Sequence, residues 1–312
     1  MALRIALSGF VVLVVAMGIG RFAFTPQVPL MITAGQLTLT SAGLVAAMNY
    51  LGYLVGAWDA MRAHRFVETR LWLGITGAVA LTLLSAAADN AVVHGLLRFV
   101  IGCMSGWSMV LIAAWTNERL GQLGKPGLSA AVFAGPGAGI ALSGLLAVYI
   151  QASSLSAGAA WQIYGVLALV LIALVARYLP RAGQLHRPGT APEPLLLTAD
   201  LRRLVWSYSL AGFGYILPAT FLSQMAAVRF PGSLFAQFVW PIFGAASVVG
   251  IAISIALRHT SSANRRLAIV LWLQGIGVLA AWLLPGIGGL LTGGLLVGGG
   301  FLCAVQLSLL YG

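Results

Sequence analysis

The sequence predicts an all-α chain that threads a lipid bilayer about ten times, and three observations lead to that fold class. Only 7% of the 312 residues are Asp, Glu, Lys or Arg, whereas a soluble domain carries roughly a quarter. Apolar runs of about 20 residues, long enough to cross the hydrocarbon, recur from one end of the chain to the other. Within them the apolar residues are continuous rather than alternating. Lipid offers the backbone no hydrogen-bond partners, so helices satisfy it and barrel strands do not fit the pattern.

The first span is expected at 5–32. Arg4 precedes an apolar run that continues past Ile19 and resumes beyond Arg21, too long for a cleaved leader. The following spans are expected at 41–61, 71–88, 92–116, 128–150 and 161–179. A polar stretch at 180–203 then holds Pro180, Pro188, Pro192 and Pro194. It divides a six-helix bundle (1–179) from a second part (204–312), whose spans are expected at 204–228, 234–257, 267–284 and 288–310.

Charge placement fixes the expected topology. Of seventeen basic residues, Arg21 and Arg98 fall within spans and Arg229 lies in a turn after an odd-numbered span. The other fourteen sit at the N-terminus or after spans two, four, six and eight. Basic loops stay in the cytoplasm during insertion, so the N-terminus and the central loop are expected there, in a bacterial inner (cell) membrane. The net charge of +11 thus reflects orientation, and no nucleic-acid partner is expected. Cys103 and Cys303 lie in apolar runs with no metal or redox spacing. No His–Glu or Cys–Cys pairing suits a metal or an active site, so neither cofactor, metal nor enzymatic chemistry is expected.

The chain also repeats itself. One register lays Gly18-Ile19-Gly20-Arg21 on Gly212-Phe213-Gly214-Tyr215, Val55-Gly56 on Val249-Gly250, and Gly95-Leu96-Leu97 on Gly289-Leu290-Leu291. Two parallel repeats of six helices are implied. By that register the second repeat would end about 60 residues beyond Gly312, room for two more helices. The expectation is a truncated chain, with a ten-helix protein as the alternative.

Arg21 and Arg98 are the charges buried deepest in the spans, and an arginine at a helix centre costs about 2.5–3.5 kcal/mol even on lenient insertion scales. No carboxylate is expected at their depth, because Asp59 and Glu118 fall at cytoplasmic helix ends and Asp89 in an outer turn. Two arginines facing a wet cavity invite an anion; alternatively each bonds carbonyls and holds helices together. His94 shares a helix face with Arg98 and is the nearest titratable group, a candidate proton carrier. Asn49, Tyr50 and Tyr215 are polar groups at matching depth that would line a substrate site or pack helices. Gly135, Pro136 and Gly139 remove a helical donor and admit a close neighbour, which suits a hinge or plain packing.

These residues carry a resemblance. Arg98-Phe99-Val100-Ile101-Gly102 resembles the Arg-x-x-x-Gly motif of major facilitator transporters, and Gly135-Pro136-x-x-Gly139 their antiporter-associated Gly-Pro-x-x-Gly motif. Gly18-Ile-Gly-Arg-Phe-Ala-Phe-Thr-Pro26, Asn49-Tyr-Leu-Gly-Tyr-Leu-Val-Gly56 and Ala211-Gly-Phe-Gly-Tyr-Ile-Leu-Pro-Ala-Thr-Phe-Leu222 resemble the YbfB/YjiJ-type branch of that superfamily. The resemblance spans essentially the whole chain. It implies a major facilitator fold with about ten of twelve helices present, alternating access, and a small-molecule substrate. One departure stands out. The turn after span two should carry a charged Gly-x-x-x-Asp-Arg gate, yet Gly56-Ala-Trp-Asp59 is one residue short, with Arg62 and Arg65 following. The expected function is a secondary transporter of a small, anionic organic solute, working as a monomer in the bilayer by proton-coupled efflux. A non-transporting remnant is the alternative.

Overall fold

The structure, a computed structural model, describes residues 1–185 and 198–308; His186, Arg187 and Glu193 of the central loop lie outside the described residues. Among the described residues ten helices are long and apolar enough to cross a membrane. They are α1 (Ala2–Thr33), α2 (Leu39–Arg62), α3 (Val67–Ala87), α4 (Ala91–Gln122), α5 (Pro126–Ala152), α6 (Ala157–Tyr178), α7 (Leu201–Arg229), α8 (Leu234–His259), α9 (Ala263–Leu283) and α10 (Gly286–Ser308). Apart from the central loop the turns between them are short, and hydroxyl or amide side chains start most helices by satisfying orphan backbone donors. Thr38 and Ser41 form a reciprocal capping box on α2, and Asn90 accepts from Val92 and Val93 at 3.1 and 3.0 Å. Ser156, Ser233 and Ser262 do the same for α6, α8 and α9. α4 stops at Gly124, whose φ of 66° only glycine adopts freely, with Lys125 N–H returning to the Leu120 carbonyl.

Two of the expected spans are not continuous helices. In α1 a regular helix ends at Leu13, a π-helical turn covers Val14–Ile19, and residues 20–23 form a turn before the helix resumes at Phe24. Pro26 has no N–H to return to the Phe22 carbonyl, and its ring crowds that carbonyl, so the ladder cannot run through. The backbone shifts register instead: Gly20 and Phe22 donate five residues back, to Val15 and Met17. Ser105 of α4 donates to the Ala16 carbonyl at 2.7 Å, holding the irregular turn in place. In α5 the helix breaks at Phe133–Ala134 and restarts at Gly135, with Pro136 in its first turn. The two breaks pack on each other, since a Cβ on Gly18 would run into the backbone of Gly139.

Lipid supplies no hydrophobic drive between helices, so close approach and hydrogen bonds carry the packing. Gly52, Gly56, Gly102 and Gly106 bring α2 and α4 backbone to backbone. α5 crosses α8 at Gly137, Gly144 and Gly244, and Gly250 meets Gly299 between α8 and α10. Ser247 donates to the Gly298 carbonyl at 2.8 Å. Burial is uneven between repeats: most of α1 is buried, whereas its counterpart α7 is buried only at Ala219, Thr220, Leu222, Ser223 and Ala226. α6 covers α1 and α3, whereas a groove of about 600 Å³ between α7, α9 and α10 is open along Leu210, Trp272 and Leu279.

The N-terminus and the turns after even-numbered helices share one end of the bundle, the basic end. Arg4 lies over the Tyr178 ring at 5.6 Å, and Trp72 Nε1 donates to the Pro180 carbonyl at 3.1 Å.

Candidate functional site

The break in α1 delivers Arg21 to the centre of the molecule. Its guanidinium lies over the rings of Tyr53, Tyr50 and Phe22 at 4.1, 4.8 and 5.2 Å, and among the described residues its Nε has no hydrogen-bond partner. Desolvated cation–π contacts of this kind are worth about 2 kcal/mol, too little to replace the hydration of a buried charge. Arg98, fully buried on α4, donates through Nη1 to the Gly20 carbonyl at 2.7 Å. That carbonyl is available because the ladder of α1 is interrupted there. Trp161 and Phe24 flank the same guanidinium at 4.4 and 5.4 Å, while its Nε and Nη2 have no hydrogen-bond partner among the described residues.

Between the two arginines lies a cavity of about 20 Å³, also lined by Thr25, Asn49, Tyr50 and Thr220. It is large enough for a water molecule and too small for an organic solute. The structure therefore brings together four of the five residues expected to bind substrate: Arg21, Arg98, Asn49 and Tyr50. Asn49 is largely committed to packing, because its amide donates to the Arg98 carbonyl at 2.9 Å. Tyr215 stands outside the cavity, stacked on Phe301 at 5.3 Å and close enough to Tyr50 and Tyr53 to interact electrostatically. His94 is fully buried beside Arg98, and the Ala88 carbonyl faces it without a bond of good geometry. No cluster of His, Cys, Asp or Glu among the described residues could hold a metal ion.

The cavity is shut at the end opposite the basic one. Thr25 donates to the Ala219 carbonyl at 2.5 Å and the Tyr50 and Thr220 hydroxyls meet at 3.2 Å, joining α1 and α2 to α7. Phe22 packs edge-on against Phe301 of α10 at 6.0 Å. Ala219, Leu222 and Ala226 on this half of α7 are buried, while Val205, Trp206 and Leu210 on its other half are exposed.

Over residues 13–312 the sequence matches a family model described as "Uncharacterised MFS-type transporter YbfB". The chain belongs to this family. It is thus a multi-pass membrane transporter of the major facilitator superfamily. No curated protein sequence matches it. Solved structures with the same fold include a D-xylose–proton symporter (12% identity, TM-score 0.66, covering 98% of this chain and 80% of that one). A bacterial homologue of the human lysosomal transporter Spinster, inward-facing and occupied, is similar at 16% identity and TM-score 0.60, covering 99% and 77%. FucP in its outward conformation follows at 17% and 0.57, covering 97% and 86%. At these identities the likeness concerns the fold alone.

At the basic end of this transporter Asp59 accepts from Arg70 Nε at 2.7 Å and from Trp107 Nε1 at 2.8 Å, clamping α2, α3 and α4 together. Arg62 takes no part in that clamp and lies over the Trp58 ring at 4.2 Å. Glu68 accepts from the Gly183 and Leu185 backbone at 2.8 and 3.2 Å, docking the start of the central loop on α3. Gly135 abuts the Phe10 carbonyl and Gly139 abuts Gly18, so the glycine-proline segment packs directly on α1.

Sequence reasoning missed Tyr53, Thr25, Trp161 and the chain in which Gln27 donates to Tyr164 and Tyr164 donates to the Ser143 carbonyl, both at 2.9 Å. Thr25 and Gln27 were visible as polar residues on either side of Pro26. Nothing in the sequence said that Trp161 and Tyr53 would face an arginine.

Proposed function

We propose that this transporter carries a small anionic organic solute across the bacterial inner membrane by alternating access, with Arg21 as its principal contact. Arg98, Asn49 and Tyr50 shape the same cavity, and Tyr215 closes it from the second repeat. One observation carries the reading: two buried guanidiniums border one cavity, while the ion pair found among the described residues, Asp59 with Arg70, lies far away at the basic end. A buried charge without a counter-ion costs several kcal/mol. A carboxylate or phosphate between the arginines would relieve that cost.

The basic end faces the cytoplasm. With the far end shut and the basic half of α7 exposed, the cavity opens inward when the bundles 1–179 and 204–312 rock apart. The breaks at residues 20–23 and 133–134, with Gly135, Pro136 and Gly139 between them, are the points that bend. Asp59, clamped by Arg70, rather than Arg62, serves the cytoplasmic gate. His94, beside Arg98, is the group that would carry a coupled proton and drive efflux. The transporter acts as a monomer.

The test uses purified protein in liposomes and a panel of lactate, succinate, benzoate and inorganic phosphate, with glucose as the neutral contrast. Counterflow is expected for an anion, and Arg21→Gln reduces it at least about tenfold, since a charge-assisted bond is worth ~1.5–3 kcal/mol. Transport of glucose alone, or full activity in Arg21→Gln, removes the proposal.

A further inference from the structure

A second arginine site lies on the membrane-facing surface. α8, α9 and α10 enclose a groove of about 620 Å³ whose walls include Val249, Ile253, Leu273 and Leu295. All four side chains are exposed. It runs from Ile242 to Leu257 along α8, about 22 Å at 1.5 Å per residue. That exceeds the ~15 Å depth of one leaflet's hydrocarbon, so it accommodates one acyl chain lying along the helix.

Arg266 stands at the basic end of the groove. Its Nη1 donates to the Ser254 carbonyl at 3.0 Å, and among the described residues its Nε has no partner. A carbonyl fixes the guanidinium without compensating its charge. The first repeat solves the same problem differently, because there Arg70 is paired with Asp59. The register that lays Gly18 on Gly212 lays Asp59 on Ile253, an exposed wall of the groove, and residues 201–312 contain no Asp or Glu at all. Arg258 and Arg265 add positive charge at the same end.

We infer that this groove seats an anionic glycerophospholipid of the cytoplasmic leaflet, its acyl chain between α8, α9 and α10 and its phosphate on Arg266. The leaflet rests on the orientation given above; the site itself does not depend on the transported solute. An anionic leaflet draws basic residues at its surface, and a fixed arginine at the mouth of an apolar groove turns that general attraction into a particular seat.

Native mass spectrometry of the full chain, released from mild detergent with dioleoyl phosphatidylglycerol or dioleoyl phosphatidylcholine, tests this. Wild type retains one phosphatidylglycerol in preference to phosphatidylcholine. Arg266→Gln lowers that retention about fivefold or more, the equivalent of roughly one surface arginine's attraction. Ile253→Trp, which fills the groove at an exposed position, lowers retention of both lipids, and it decides the matter if Arg266→Gln aggregates. Arg229→Gln, at the other end of the molecule, leaves retention unchanged. Equal retention of the two lipids by wild type overturns the inference, as does unaltered phosphatidylglycerol binding in both groove variants. Displacement of the lipid by inorganic phosphate alone also overturns it, since the site would then read a free anion. These outcomes leave the dependence of transport on Arg21 untouched, so either proposal can fail alone.

Discussion

Arg21 and Arg98 are both buried, yet they are held in different ways. Arg98 has a backbone partner in Gly20 and two rings around it, so it fastens α4 to the break in α1. Among the described residues Arg21 has only aromatic faces around it, which suits the proposed role of rearranging around a ligand. Arg98→Ala therefore strips the Gly20 carbonyl of its donor and opens a cavity, costing about 2–4 kcal/mol. Arg21→Ala costs less, because it removes a charge that has no hydrogen-bonded partner at Nε. Thermal unfolding in detergent, followed by tryptophan fluorescence, measures both; a larger loss for Arg21→Ala would reverse the two roles. Both arginines were legible in the sequence, since a charge in an apolar run is conspicuous. Their surroundings were not. Tyr50 and Tyr53 occur at ordinary packing intervals, and nothing local distinguishes a ring that faces lipid from one that faces a guanidinium.

At the scale of the helix, the irregular turns in α1 and α5 carry more of the architecture than the ten spans themselves. Hydropathy located every span but ran α1 and α5 straight through their breaks, because a few glycines and prolines leave a run long and apolar enough to read as one span. The register shift at Gly20 is decided by Pro26 six residues on, by Ser105 from α4 and by the glycine contact with α5, and two of these three are tertiary. The repeat supplies an internal control. Gly18 and Gly212 occupy equivalent positions, yet a Cβ at Gly18 meets the Gly139 backbone while one at Gly212 meets nothing within 4 Å. Gly18→Ala is expected to cost about 1–3 kcal/mol through overpacking. Gly212→Ala should be neutral or stabilise by up to about 1 kcal/mol through helix propensity. Melting temperatures of the two variants, measured side by side, check this. Equal effects would mean that the contact between the two breaks adds nothing.

For the whole molecule, the decisive question is which end opens. Basic-residue placement gives an expected orientation, but it holds no information about which of two alternating conformations a chain rests in. That depends on contacts between residues far apart, and two of them seal the end away from the basic turns: Thr25 with Ala219, and Tyr50 with Thr220. If this seal is the resting arrangement in the bilayer, thiols placed across it will find each other. Cys103 and Cys303 are first replaced by Ser; Cys303 is buried, with its Sγ on the Gly299 carbonyl, a bond that a hydroxyl also makes. Thr25→Cys with Ala219→Cys is then expected to cross-link under mild oxidation in membranes without added solute. Transport should fall at least tenfold in the oxidised form and return with dithiothreitol, because the bridge ties α1 to α7 where the cavity must open outward (tenfold being about 1.4 kcal/mol on the barrier). Substrate that drives opening to the far side should slow the cross-linking. Should both thiols instead react freely with a membrane-impermeant maleimide from outside and never bridge, the far end is open at rest and the inward-opening cycle has the wrong starting point.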